Sequence, residues 1–199
     1  MTERNRAAAR RWTRSVETRS AILAAAREVF LEHGYTEANV SDVVEKSGCS
    51  VGSIYHHFGG KTELYGALCA EYQDTLHAAS TKSVHAARAA GERDPIQLFI
   101  AGARGYLEQA WIDQDLARLV LSGDHPPGHD AWQRERSRAW VRENGLLLRA
   151  PEEPAARVLV TALTSIVGDG ARLVSEIDSR REASEVIDAT LELVRKVAS

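Results

Sequence analysis

An all-α fold is imposed by three features of this sequence. Apolar residues recur at spacings of three and four along nearly the whole chain. No run of alternating β-branched residues is bounded by turn residues, which excludes a substantial sheet. All five prolines fall at or after Pro95, so long helices are permitted throughout the front half.

The elements follow in order. Ile22, Ala26, Val29, Phe30 and His33 share one face of a first helix over Ser15–His33, and Gly34 stops it. Asn39 caps a short helix ending near Ser47, with Asp42 at its positive end and Gly48 after it. Ser50 caps a third helix through Phe58, and Gly59-Gly60 separate it from a long helix running from Lys61 toward Ala90. Beyond the break at Gly91–Asp94, the periodicity predicts helices over Pro95–Ile112, Gln114–Leu121, His129–Leu148, Pro154–Ile177 and Arg181–Ala198.

With 44% apolar and 27% charged residues in a chain of 199, a buried core is affordable and fibrous or wholly disordered classes are excluded. The net charge of −3 hides an asymmetry, because residues 1–66 hold nine basic against eight acidic side chains and the remainder 16 against 20. Residues 1–19 carry six arginines against Glu3 and Glu17, read as a disordered basic arm over residues 1–14. The longest apolar stretch, Val158–Val167, is interrupted by Thr161, Thr164 and Ser165 and falls short of the roughly 20 residues a membrane span needs. No membrane association is expected. With no secretory leader and two cysteines, Cys49 and Cys69, the expected location is the cytoplasm.

Residues 39–58 place two short helices either side of a tight turn, a helix-turn-helix. Val40, Val43, Val44, Cys49, Ile54 and Phe58 supply apolar backs that fix the angle between them. Ser50, Gly52, Ser53, Tyr55 and His56 then face outward: small residues that admit close approach to a groove, and hydrogen-bonding tips that suit base edges in the major groove. Asn39, Tyr55 and Lys61 complete the expected contacts to phosphate.

The run Ile22-Leu23-Ala24-Ala25-Ala26, Phe30, Gly34-Tyr35, Val40, Asp42-Val43, Gly48, Ser50, Gly52, Tyr55, Phe58, Lys61 and Leu64 resembles, without a gap, the N-terminal domain of TetR-family transcriptional regulators. The resemblance covers residues 16–67. It implies a DNA-binding domain over residues 15–62 and a helical ligand-binding and dimerisation domain over 63–199. It further implies a homodimer on double-stranded operator DNA that a small molecule releases. A repressor is the default and an activator the alternative.

The last two helices carry Leu159, Ala162, Leu163, Ile166, Gly170 and Leu173, then Val186, Leu193 and Val197, at helical spacing. These stripes fit a core or a four-helix contact between two copies, and the resemblance favours the contact, with Gly168 and Gly170 admitting close backbones. Phe99, Arg104, Tyr106, Gln109, Trp111 and Trp140 are the candidate effector-binding residues, and the scarcity of acidic residues there points to an apolar or aromatic effector. Asp124, His125, His129 and Asp130 flank Pro126-Pro127-Gly128 and read as an exposed loop, with no metal and no cofactor expected. The competing classes are a helical small-molecule-binding enzyme and a protein adaptor. No Gly-x-Ser-x-Gly elbow, phosphate-cradling loop or paired metal-binding His motif supports the enzyme.

Overall fold

The computed structural model describes residues 3–199, with side chains from Trp12 onward. Among the described residues it contains nine helices and no strand: α1 (Glu3–Glu37), α2 (Val40–Ser47), α3 (Val51–His57), α4 (Lys61–Ala89), α5 (Pro95–Ile112), α6 (Gln114–Leu121), α7 (His129–Leu147), α8 (Pro154–Ser175) and α9 (Arg180–Ala198). Local chemistry explains several boundaries. Asp94 accepts the N–H groups of Ile96 and Gln97 at 2.8 and 2.9 Å ahead of Pro95, and Ser179 accepts from Glu182 at the start of α9.

Most boundaries fall within a few residues of expectation, and the start of α1 does not. Helix α1 starts at Glu3 rather than near Ser15, because neither Gly nor Pro occurs before Gly34 and the Ala-Ala-Ala-Arg-Arg run from Ala7 has high helix propensity. The side chains of Arg4, Arg6, Arg10 and Arg11 in the basic arm lie outside the described residues. Gly34 does break the helix, at φ 72° and ψ −178°. His33, expected on the buried face, is exposed and lies 3.8 Å from Glu32.

The chain forms two compact units. The first comprises Met1–Glu71 with Ser122–Pro126, and the second Tyr72–Leu121 with Pro127–Ser199, so the division expected between residues 62 and 63 falls inside α4. The physical reason is that the first turns of α4 complete the first core: Leu64, Tyr65 and Leu68 are buried with Ile22, Val29 and Phe30 of α1, and Tyr65 meets the rings of Phe30 and Tyr35 edge-on at 5.3 and 5.2 Å. Asp124 joins this unit by accepting from the Thr36 hydroxyl at 2.5 Å and the Thr36 N–H at 3.1 Å.

In the second unit, Leu107 of α5, Leu163 and Val174 of α8, and Leu191 and Val194 of α9 are fully buried. Helix α8 runs 22 residues with a stretch of mean hydropathy 1.4, long and apolar enough by length and composition to cross a membrane, which the shorter Val158–Val167 window did not reveal. Its Leu163, Val167 and Val174 are nevertheless buried, and it packs on α5 and α9 as a core helix does. Leu163 and Gly170, both expected at an interface between copies, instead point into this core. A Cβ on Gly170 would stand 2.7 Å from Thr190 Cγ2 and 3.3 Å from Leu107 Cδ2.

Candidate nucleic-acid interface

The geometry of residues 39–61 comes from interlocking caps. The Asp42 carboxylate accepts the Asn39 N–H at 3.3 Å, and the Asn39 side-chain amide donates to the Glu37 carbonyl at 3.0 Å, so Asn39 fixes the entry to α2. Gly48 closes α2 in the left-handed region, φ 66° and ψ 10°, with its N–H donating to the Val44 carbonyl at 3.0 Å. Ser50 then starts α3 by accepting the Ser53 N–H at 3.1 Å, and the two hydroxyls share a hydrogen bond at 2.9 Å. Val43 and Ile54 are buried, whereas Val40, Val44, Cys49 and Phe58 are only half-buried. Arg19 of α1 lies over the Phe58 ring, 4.9 Å from its centroid, and braces the end of α3. On the α2 side, Lys46 reaches Glu32 at 3.1 Å and Glu28 at 3.4 Å. The Glu32 hydrogen bond raises the Lys46 pKa, and the same bond lowers that of Glu32.

Helix α3 consequently shows solvent one face. Gly52 and His56 are exposed and Tyr55 is 54% exposed. Val51 is 50% exposed beside them, an outward residue that the sequence reading missed. The Ser50 cap puts Val51 at the first helical position, four residues before Tyr55, so the spacing carried the signal. Its methyls can meet a thymine methyl in a major groove. Ser53 is half-buried and engaged with Ser50, at the edge of this face.

Lys61 is more committed than a free phosphate anchor. Its ammonium donates to the Thr36 carbonyl at 2.9 Å and sits 4.7 Å from the centroid of the Tyr35 ring, while the Tyr35 hydroxyl meets that of Thr62 at 3.0 Å. The same corner holds Asp124, whose carboxyl lies below the usual carboxylate range because the Thr36 hydroxyl and N–H bond its charged form, with Lys61 adding to the effect. Lys61 therefore ties the start of α4 to the last turn of α1.

This brace of α1–α4 coincides with a known domain. The family model described as bacterial regulatory proteins, tetR family, matches residues 22–68. Residues 22–68 thus carry the N-terminal domain of the TetR family. The HTH-type transcriptional repressor AcnR of Corynebacterium efficiens is 46% identical over 68 residues, 34% of this chain and 35% of that protein, so the chain spans about a third of that relative's length. The HTH-type transcriptional activator FasR of Mycolicibacterium smegmatis is 25% identical over 186 residues, covering 88% of this chain and 80% of that protein. A TetR-family structure from Syntrophomonas wolfei aligns with a TM-score of 0.71 at 16% identity over 92% of this chain and 95% of that one, a likeness of fold.

The second unit contains a cavity of about 1270 Å³ among α4, α5, α6, α7 and α8. Of the six expected effector contacts, Phe99, Tyr106 and Trp140 line it. Tyr106 and Trp140 meet edge-on at 5.1 Å, and burial pushes the Tyr106 hydroxyl up to about 12 against the opposing influence of Arg136. Arg104, Gln109 and Trp111 do not line it. Arg104 pairs with Asp188 at 2.7 Å, Gln109 donates to Asp113 at 2.7 Å, and the Trp111 indole donates to the Ile177 carbonyl at 3.1 Å. Helix periodicity identified apolar stripes but could not say which side of α5 meets the cavity. The contributions of α7 and α8, among them Gln133, Arg136, Asn144 and Thr164, were missed for the same reason.

Helices α8 and α9 each carry a second apolar stripe that the core does not use. Leu159 and Leu173 are exposed with half-buried Ala162 and Ile166 between them, and Leu193 and Val197 are exposed in line with half-buried Val186. His129, by contrast with the exposed loop expected around it, is buried, stacks on Trp132 and meets Gln133 at 3.1 Å. Cys69 is buried, with its thiol pushed up to about 12 by that burial, and Cys49 is half-buried at the turn.

Proposed function

We propose that this chain is a homodimeric, operator-binding transcriptional regulator whose DNA affinity is set by a small molecule held in the second unit. The observation that carries the DNA-reading part is the solvent face of α3: Val51, Gly52, Tyr55 and His56 stand outward on a helix whose opposite side is pinned by Ile54. Gly52 admits the groove wall, Tyr55 and His56 supply hydrogen-bonding tips, and Lys61 has donors beyond the one it gives Thr36. Two copies reading successive major grooves would place the α3 helices about 34–36 Å apart on a pseudo-palindromic site.

The exposed stripes of α8 and α9 support pairing with a second copy as a four-helix contact, because Leu159, Leu173, Leu193 and Val197 otherwise leave apolar surface in water. The cavity supports effector binding. A tenfold loss of operator affinity requires the effector to favour the DNA-incompetent state by about 1.4 kcal/mol. Repression is the default mode. The likeness to the activator FasR over most of the chain favours activation as the second reading.

Selection of bound fragments from genomic DNA, followed by binding to the selected duplex over a salt series, tests the proposal. A symmetric site with affinity falling steeply as salt rises is the expected result. Binding no tighter than to random duplex overturns it, and transcription from the selected site in the protein's presence separates repressor from activator.

A further inference from the structure

The cavity has a charge character that the apolar or aromatic expectation did not contain. Five arginines line it, Arg136, Arg138 and Arg142 from α7 and Arg157 and Arg172 from α8, against one carboxylate, Glu152. Several are partly neutralised. Arg138 and Arg142 share Glu135 at 3.6 and 3.4 Å, and Arg172 lies between Asp169 and Glu176 at 3.9 and 3.6 Å. Arg136 differs. Its Nη2 meets Asp74 at 3.6 Å, as the others meet their carboxylates, but its Nε is shielded from solvent with no hydrogen-bond acceptor. An arginine N–H held out of water without an acceptor is a standing cost, which an anionic oxygen removes. The guanidinium edge, with Nε beside one Nη, fits the two oxygens of a carboxylate or phosphate.

The rest of the lining is apolar where it is deepest. Phe99, Ala103, Val120, Val160 and Val167 are buried and come from α5, α6 and α8, and Trp140 adds a flat indole face. The polar pair there is mutually satisfied, since the Asn144 amide donates to the Thr164 hydroxyl at 3.0 Å. At about 1270 Å³ the space exceeds the roughly 300–1,000 Å³ typical of drug-sized ligands.

We infer that the effector is an organic anion with an extended apolar body, its carboxylate or phosphate bound by Arg136 and its body lying along Phe99, Trp140, Val160 and Val167. This rests on the reading of the cavity as the effector site. The shared chemistry is the oxyanion, and a free carboxylate and a phosphate ester are its two sources.

The test is a twelve-carbon series used below micelle formation: dodecanoate, dodecyl phosphate, dodecanol and dodecyltrimethylammonium, each titrated into the full-length protein by calorimetry and then into its operator complex. At least one of the two anions is expected to bind tenfold or more tighter than dodecanol and to release DNA, with the cation weakest. Arg136→Met, which keeps an apolar stem, is expected to bring the anions to within about twofold of the alcohol. Arg181→Met, on an exposed side chain outside the cavity, is expected to keep the preference. Whichever anion binds tighter identifies the source. Dodecanol binding as tightly as both anions, or the preference surviving Arg136→Met, overturns the anion assignment while leaving the cavity as effector site. Failure of all four probes to bind, with operator binding intact, overturns both. The wild-type series stands alone if Arg136→Met fails to fold.

Discussion

Gly168 and Gly170 stand two residues apart on α8, and alanine is expected to stabilise the chain at the first and not at the second. Alanine in place of a helical glycine gains about 0.8–1 kcal/mol in backbone entropy and propensity. A Cβ on Gly168 meets nothing within 4 Å, so Gly168→Ala should keep that gain and raise the melting temperature by roughly 2–4 °C in a chain of this size. At Gly170 the added Cβ lies 2.7 Å from Thr190 Cγ2 and 2.9 Å from Thr190 Oγ1. Thr190 has little room to move, being buried with its hydroxyl donating to the Val186 carbonyl at 2.8 Å. Overpacking of this kind costs about 1–3 kcal/mol, leaving Gly170→Ala neutral to about 2 kcal/mol destabilised. Trimming the partner in the double variant Gly170→Ala/Thr190→Ala should recover most of the loss, a coupling of about 1–3 kcal/mol in a double-mutant cycle. Urea unfolding followed by circular dichroism, at one fixed protein concentration because the proposed dimerisation would be linked to stability, measures all four species. Equal stabilisation at the two glycines would refute the claim that Gly170 serves the α8–α9 contact within one protomer.

Other outcomes follow from the same residues. Tyr55→Ala should weaken selected DNA at least tenfold with the melting temperature unchanged, since the side chain is 54% exposed, and a fluorescence anisotropy titration beside a thermal melt checks both. Lys61→Ala should weaken all duplexes about equally, reduce the salt slope by about 1, and also cost about 0.5–1.5 kcal/mol of stability through the lost bond to Thr36, whereas changes at His56 should alter which bases are preferred in an operator selection. Asp124 has a lowered pKa in the folded state, so its stabilising contribution is complete above the unfolded value of about 4 and is lost as pH falls through the lower folded value. Below about pH 4 the wild type should therefore lose more stability than Asp124→Asn. Leu193→Glu should leave a folded monomer in analytical ultracentrifugation and abolish tight binding to the two-half-site operator while sparing binding to a single half-site.

Local chemistry was legible in the sequence, and relations between distant helices were not. Gly48, Ser50 and Asp94 announce their caps and turns within four residues, and the start of α5 and both ends of α6 fall where the punctuation put them. Leu163 and Gly170 were misassigned to an interface between copies because α8 carries two apolar stripes, and one sequence gives both the same 3.6-residue period. Only the partner elements distinguish them: α5 and α9 cover the Leu163 face and leave the Leu159 and Leu173 face bare. Tyr65, at the start of α4, meets Phe30 of α1, a pairing that spacing within α4 does not encode, so the compact unit extends past the division expected at residue 62.

The cavity was the least legible part, and its chemistry explains why. An arginine is ordinarily a surface residue that snorkels, so Arg136 among Arg134, Glu135 and Arg138 reads as one more member of a solvated charged face. Its significance arises from three-dimensional neighbours: the shielding of Nε, a closest carboxylate at 3.6 Å, and an electrostatic reach to Tyr106 thirty residues earlier in the chain. Tyr106 was found because the aromatic residues gather in the middle helices, and Arg136 was passed over because a charge in a charged run is not conspicuous. The same asymmetry explains the change in expected ligand. Counting acidic residues on inner faces excludes a polycation, but the excess of arginines over carboxylates around the cavity, and the Arg136 Nε without an acceptor, emerge only once α7 and α8 are seen to face the same space.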